Sequence, residues 1–148
     1  MAILAVVDTL VLQKANASLE NQPRETSKFS KRLQLLKSIQ AGRIRVLVSS
    51  KLIGEYRRQV REPRNVFIQN FFALLTQGNL ALSNWVPWSG SVSEKAGRCR
   101  FPREDPHVLQ TAIHNTERTW ILTEEMRMLK TDQCIYRQFS VHIDDPTR

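Results

Sequence analysis

The run Ile3-Leu4-Ala5-Val6-Val7, followed at once by Asp8-Thr9, constrains this chain more than any other stretch. Five consecutive apolar residues with no charge and no helical period read as a strand covered on both faces, as inner strands of a parallel sheet are. In such a sheet the carboxyl ends of the strands border the ligand crevice, so an acid directly after the strand stands where chemistry is done. Asp8 is the first candidate site residue. The competing reading makes Asp8 a turn former or the cap of the next helix, and this stretch alone does not separate the two.

Beyond it, helical and extended patterns alternate. Thr9 to Ala17 reads as a short helix or structured loop, broken by Asn21-Gln22-Pro23-Arg24. From Ser27, Phe29, Leu33, Leu36 and Ile39 recur at three- and four-residue steps, one face of an amphipathic helix that Gly42 ends. A second strand is expected over Ile44–Val48. Ser49-Ser50 then cap a helix of about Lys51–Arg61 whose Leu52, Ile53, Tyr56 and Val60 share a face. Glu62-Pro63-Arg64-Asn65 interrupts before a further helix, Val66 to Leu75, that stops at Gly78. Alternation from Asn79 through Val86, with Leu80 and Leu82 on one side, fits a short third strand, and Pro87 to Arg103 reads as a loop. Glu104-Asp105-Pro106 opens a helix with Val108, Leu109, Ala112 and Ile113 on its buried side. Trp120–Thr123 is expected as the fourth strand, Glu124-Glu125-Met126 as the start of a short helix, and Phe139–Ile143 as the last strand. The alternation predicts a parallel α/β sandwich with right-handed crossovers, in one domain spanning residues 1–148.

The charge balance narrows the partners. With 22 Lys and Arg against 14 Asp and Glu, the net charge of +8 favours an anionic partner, most commonly nucleic acid. Cys99 and Cys134 are the only cysteines and lack metal-finger spacing, so neither a disulfide framework nor a zinc site is indicated, and a reducing compartment is expected. No run approaches the length of an apolar membrane span, and the start lacks a basic region leading into a cleavable apolar segment. A soluble, cytoplasmic protein without membrane contact is the expectation.

Four acids fall at equivalent places in this pattern. Asp8 follows the first strand, Glu55 lies on the helix after the second, Asp105 opens the helix before the fourth, and Glu125 follows the fourth. They are too far apart in sequence to share a helix face, so their convergence depends on the fold. Carboxylates packed together without compensation repel one another and retain protons; a divalent cation removes that penalty. Mg²⁺ and Mn²⁺ take hard oxygen ligands and suit a set without His or Cys better than zinc does. Such an ion activates water and neutralises charge on a phosphate. Acids for a metal with bases around them describe a phosphodiesterase acting on nucleic acid, whereas the plainer reading is scattered helix-capping acids.

Other residues carry paired readings. Arg57, Arg58, Arg61 and Arg64 follow Glu55, and Arg98, Arg100 and Arg103 precede Asp105; they hold phosphates or form a solvated basic face. Lys28, Lys31, Arg32 and Lys37 fall on the polar side of their helix. Thr9 and Thr123 orient a carboxylate or water, or serve turns. Ser49 chiefly caps its helix. Trp85 and Trp88 stack on bases, or pack in the core or a dimer contact. His107, His114 and His142 show no ligand spacing and are assigned no chemistry, and Cys99 is not read as a nucleophile.

Taken together, Val6-Val7-Asp8-Thr9, Ser49 with Glu55-Tyr56, Asp105 with Val108-Leu109 and Ala112, and Ile121-Leu122-Thr123-Glu124-Glu125 with Leu129 resemble the four ordered motifs of PIN-domain ribonucleases. The match spans nearly the whole chain. The resemblance implies a three-layer α/β/α sandwich around a central, mostly parallel sheet, and Mg²⁺- or Mn²⁺-dependent cleavage of RNA. Asp8, Glu55 and Asp105 would be the core acids and Glu125 the fourth. By analogy with VapC-like toxins of VapBC toxin-antitoxin pairs, it also implies a homodimer and a small acidic antitoxin. Two positions depart from the pattern: Leu10 stands where the family carries Asn or Ser, and Glu125 replaces the usual Asp, with Glu124 as a competitor. They imply an alternative, a weakened or inactive PIN-like RNA-binding or regulatory domain.

Overall fold

A computed structural model of the chain describes residues 3–17, 26–80, 82–86, 94–113 and 117–148. Strand β1 (Ile3–Val7) is buried at every position after the first, which requires cover on both faces of the sheet. It is the central strand of five. With β2 (Ile44–Val48), β3 (Ser83–Trp85), β4 (Thr119–Leu122) and β5 (Val141–Asp144), it forms one sheet in the order β3-β2-β1-β4-β5. Every neighbouring pair is parallel. The expected α/β sandwich with a central parallel sheet is the architecture of the protein.

Helices fill the connections: α1 (Thr9–Ala15) and α2 (Thr26–Gln40), then α3 (Ser50–Gln59) and α4 (Val66–Leu75). After β3 come α5 (Glu94–Arg98) and α6 (Pro106–Ile113), and after β4 come α7 (Met126–Leu129) and α8 (Asp132–Phe139). Helix α2 packs on β2 and α4, α6 on β1, β2 and β4, and α8 along β5. One apolar cluster runs through Val6, Leu12, Ile39, Leu47, Leu52, Phe71, Leu109 and Ile121. Gly42 ends α2 with a left-handed backbone, φ 79°, while Arg43 N–H returns to Ser38 O at 3.0 Å, a closure that a residue without Cβ adopts most easily.

Strand order decides where a site can lie. The chain steps from β1 to β2 on one side, and β4 later pairs with β1 on the other. The C-terminal ends of β1 and β4 therefore flank the switch point, where open α/β sheets form their crevice. Val7 is level with Leu122 in the register, and Asp8 N–H extends the ladder to Leu122 O at 2.9 Å.

Several expectations are corrected. The segment read as a loop contains α5, whose Ala96 is buried, while 87–93, with Trp88, lie outside the described residues, as do the break at 21–24 and His114. Leu80 does not join β3 and is 68% exposed. Phe139 ends α8 instead of starting the last strand; that helix is only eight residues long with Ile135 its one buried position, and Phe139 alternates with Val141 and Ile143 as a strand would. Arg32, read as solvated, is fully buried: its Nε and Nη2 donate to the two oxygens of Glu124 at 2.8 and 2.6 Å. A periodic polar position looks solvated until its acid, 92 residues away, is brought to it. Cys99 and Cys134 are joined in a disulfide, Cα to Cα 5.5 Å. Their spacing could not reveal the pairing, because α5 and α8 meet only through packing. No helix among the described residues is long and apolar enough to cross a membrane.

Two stability outcomes follow. Arg32→Ala leaves the buried Glu124 carboxylate without its bidentate partner and lowers the unfolding free energy by about 3–5 kcal/mol, measured by urea titration. Cys134→Ser, which opens a covalent loop, lowers it by about 2–4 kcal/mol. Alkylation of the unreduced, unfolded protein should detect no thiol; two modified cysteines would contradict the cross-link.

Candidate active site

Asp8 occupies the N-cap position of α1, yet its carboxylate makes no capping bond. Its Oδ2 accepts instead from the Thr123 hydroxyl at 2.7 Å. That same hydroxyl oxygen accepts from Glu125 N–H at 3.0 Å. Thr123 is fully buried, and it uses its one donor and a lone pair to tie the end of β1 to the turn after β4. Glu125 is likewise the N-cap of α7 without a side-chain capping bond. Capping therefore accounts for neither carboxylate.

Glu55 arrives from the second turn of α3. Ser49 caps that helix, accepting from Leu52 N–H at 3.3 Å, and its hydroxyl meets Thr111 Oγ1 at 2.9 Å. Thr111 donates to the His107 carbonyl at 2.6 Å, so with its one proton committed, the hydrogen between the hydroxyls comes from Ser49. This chain fixes the first turn of α6 against the start of α3. His107, buried on α6, brings its Nε2 against Glu55 Oε2. Below them the Tyr56 hydroxyl donates to Val7 O, binding α3 to β1.

Asp105, immediately before α6, is the common member of two groups. One ligand atom from each of Glu55, Asp105 and His107 lies within 4.8 Å of the others, and the same holds for Glu104, Asp105 and Glu125. Asp8 belongs to neither group and is only 5% exposed.

Electrostatics unites the four acids picked from the sequence. Burial pushes the Asp8 carboxyl up to about 6, with Glu125 and Glu55 adding to the rise and the Thr123 hydrogen bond opposing it. Asp105 is pushed up to about 7, first by burial and then by the charges of Asp8, Glu125 and Glu55. Glu55 goes the other way: burial raises it, but His107, the Thr9 hydroxyl and the charge of Arg58 together hold it below the ordinary value. Burial, followed by the charges of Asp8 and Glu55, raises the Tyr56 phenol well above its usual range, so it remains a proton donor. The structure thus brings Asp8, Glu55, Asp105 and Glu125 into one field at the switch point.

His107 and Glu104 were passed over in the sequence. A signal for His107 existed, since it stands four residues before Thr111, a polar pair on one face of a mostly apolar helix. Glu124, the competitor for the fourth acid, is bound to Arg32, with Lys14 Nζ at 3.8 Å. Arg127 reaches Glu125 Oε1 at 2.7 Å and also contacts Glu104. The arginines after Glu55 and before Asp105 are all exposed. Trp85, at 54% exposed, is no core residue, and His142 is stacked between Trp120 and Tyr136.

The raised acids set a pH dependence. Asp8 and Asp105 bind protons more tightly folded than unfolded, so the metal-free protein loses stability as pH rises from about 4 to about 7. Asp8→Asn, which keeps an acceptor for Thr123, should raise the unfolding free energy at pH 8 in chelator by about 2–3 kcal/mol and change little at pH 4. Equal effects at both pH values would contradict a charge origin.

Set against protein-family models, curated proteins and solved structures, the chain matches none of them.

Proposed function

We propose that the chain is a Mg²⁺- or Mn²⁺-dependent endoribonuclease of PIN-like type. In this reading Asp8, Glu55, Asp105 and Glu125 are the carboxylates that hold one or two ions, and exposed arginines hold the RNA. The observation that carries it is the meeting of these acids at the switch point, with two of them kept partly protonated near neutral pH by burial and mutual repulsion. A divalent cation relieves that repulsion. The donor set fits such an ion: carboxylate oxygens suit both metals, and the His107 imidazole beside Glu55 and Asp105 extends the fit toward Mn²⁺. When bound, the metal supplies a water of lowered pKa and neutralises charge on the phosphodiester.

The chain's own residues do the holding. Thr123 orients Asp8 and the backbone at Glu125, and His107, itself pinned through Thr111 and Ser49, orients Glu55. Such outer partners fix the direction of ligand lone pairs. The net charge of +8 supports a polyanionic substrate. A homodimer neutralised by an acidic antitoxin extends this reading by family resemblance alone.

One observation favours a second reading, a PIN-like RNA-binding domain without catalysis. Arg127 already neutralises Glu125 and Glu104 with a protein cation.

One assay separates the two. Labelled single-stranded RNA incubated in Mn²⁺ or Mg²⁺ should be cleaved by the wild type, and Asp8→Asn or Asp105→Asn should reduce cleavage by about 10²-fold or more, on the scale of losing a group that stabilises developing charge. Cleavage that survives both substitutions sinks this site. Binding without cleavage in either metal establishes the second reading.

A further inference from the structure

Beside the carboxylates lies a recess of about 330 Å³, lined by Cys99, Arg100, Pro102, Arg127, Lys130 and Thr131. Three cations line it and no acid does. Arg127 forms the wall shared with the carboxylates, and its charge is matched on that side by Glu125 and Glu104. Arg100 and Lys130 differ. Both are exposed, and among the described residues neither side chain is in an ion pair or hydrogen bond.

Two unmatched cations on one concavity repel each other unless an anion sits between them, the same logic, reversed in sign, that applies to the acids next door. The floor is neutral: Pro102 and Cys99 are buried, and the Thr131 hydroxyl donates to Met128 O at 2.7 Å. The Cys99–Cys134 bond ties the segment presenting Arg100 to α8, so the two cations are carried on connected walls. The recess falls at the small end of ligand-pocket volumes, enough for a phosphate with its sugar.

We propose that this recess is a phosphate subsite for a single RNA strand, in which Arg100 and Lys130 hold a backbone phosphate next to the one presented to the carboxylates. The sugar or base of that nucleotide lies over Pro102 and the disulfide. Arg, with its planar fork, and Lys, as a point charge, both serve phosphate in this way. The assignment rests on the nucleic-acid reading of the carboxylate site and adds to it where the strand runs: along the side of Arg127, past α7.

The test is fluorescence anisotropy of a short labelled single-stranded RNA in chelator, repeated over a salt series. Arg100→Gln and Lys130→Gln should each weaken binding about 3- to 10-fold and lower the slope of log K against log salt by about 0.7, the value for one phosphate contact on a single strand. Lys130→Arg should retain the wild-type slope. Arg43→Gln, the same charge change at the opposite edge of the sheet just before β2, should leave binding near wild type. Thermal melting confirms that each variant is folded. Equal losses in Arg43→Gln and Lys130→Gln, an unchanged slope in the recess variants, or no RNA binding by the wild type overturns the subsite. Cleavage in Mn²⁺ is scored separately. Recess-dependent binding without cleavage removes the nuclease reading and leaves the subsite, and cleavage with recess-independent binding does the reverse.

Discussion

The hydroxyl of Thr123 is the interaction on which the candidate site turns. It is buried, it donates to Asp8, and it accepts from the backbone at Glu125. Without a hydroxyl here, the buried Asp8 carboxylate at the end of β1 would lose the side-chain donor that orients it. An unsatisfied carboxylate at that depth is costly. The β1–β4 pairing makes the contact unavoidable, since the register sets Val7 level with Leu122 and so delivers Asp8 and Thr123 to the same place.

A second anchoring chain works from the other side. Ser49, Thr111 and His107 pass hydrogen bonds from the cap of α3 into the first turn of α6, and His107 returns to Glu55 on α3. Two helices from different crossovers are thus locked at the edge where their acids stand. Glu55 and Asp105 consequently respond in opposite directions to one environment: a local imidazole holds Glu55 down, while Asp105, burdened by burial and three neighbouring charges, is driven up. Groups with separated proton affinities in one crevice are a recurring property of functional sites. Beside them the charge changes sign, from the acids at the switch point to Arg100 and Lys130 in the recess beyond Arg127.

Much of the fold was legible because its signals are local. The apolar run of β1, the periodic faces of α2 and α3, and the proline and acids before α6 each report their own secondary structure. Burial on both faces reported the centre of the sheet before any pairing was known. Helix α8 was missed for a different reason: it is amphipathic but only eight residues long, and its last residue, Phe139, reads with Val141 and Ile143 as one extended apolar run. Arg32 was misplaced because a charged residue on a helix is ordinarily solvated, and only a partner distant in sequence makes its burial tolerable. The cysteine pair was invisible for the same reason of distance.

By itself the sequence determined that strands and helices alternate and that Asp8, Glu55, Asp105 and Glu125 follow strands or lie on the helices beside them, because strand and helix ends are encoded in nearby residues. Only the tertiary structure decided which acid is which. It gave Glu124 to Arg32, added His107 and Glu104 to the neighbourhood of Asp105, and set Asp8 deeper than the rest. Those distinctions depend on contacts across dozens of residues and on burial, and a carboxylate's affinity for a proton or a cation follows from its surroundings far more than from its position in the chain.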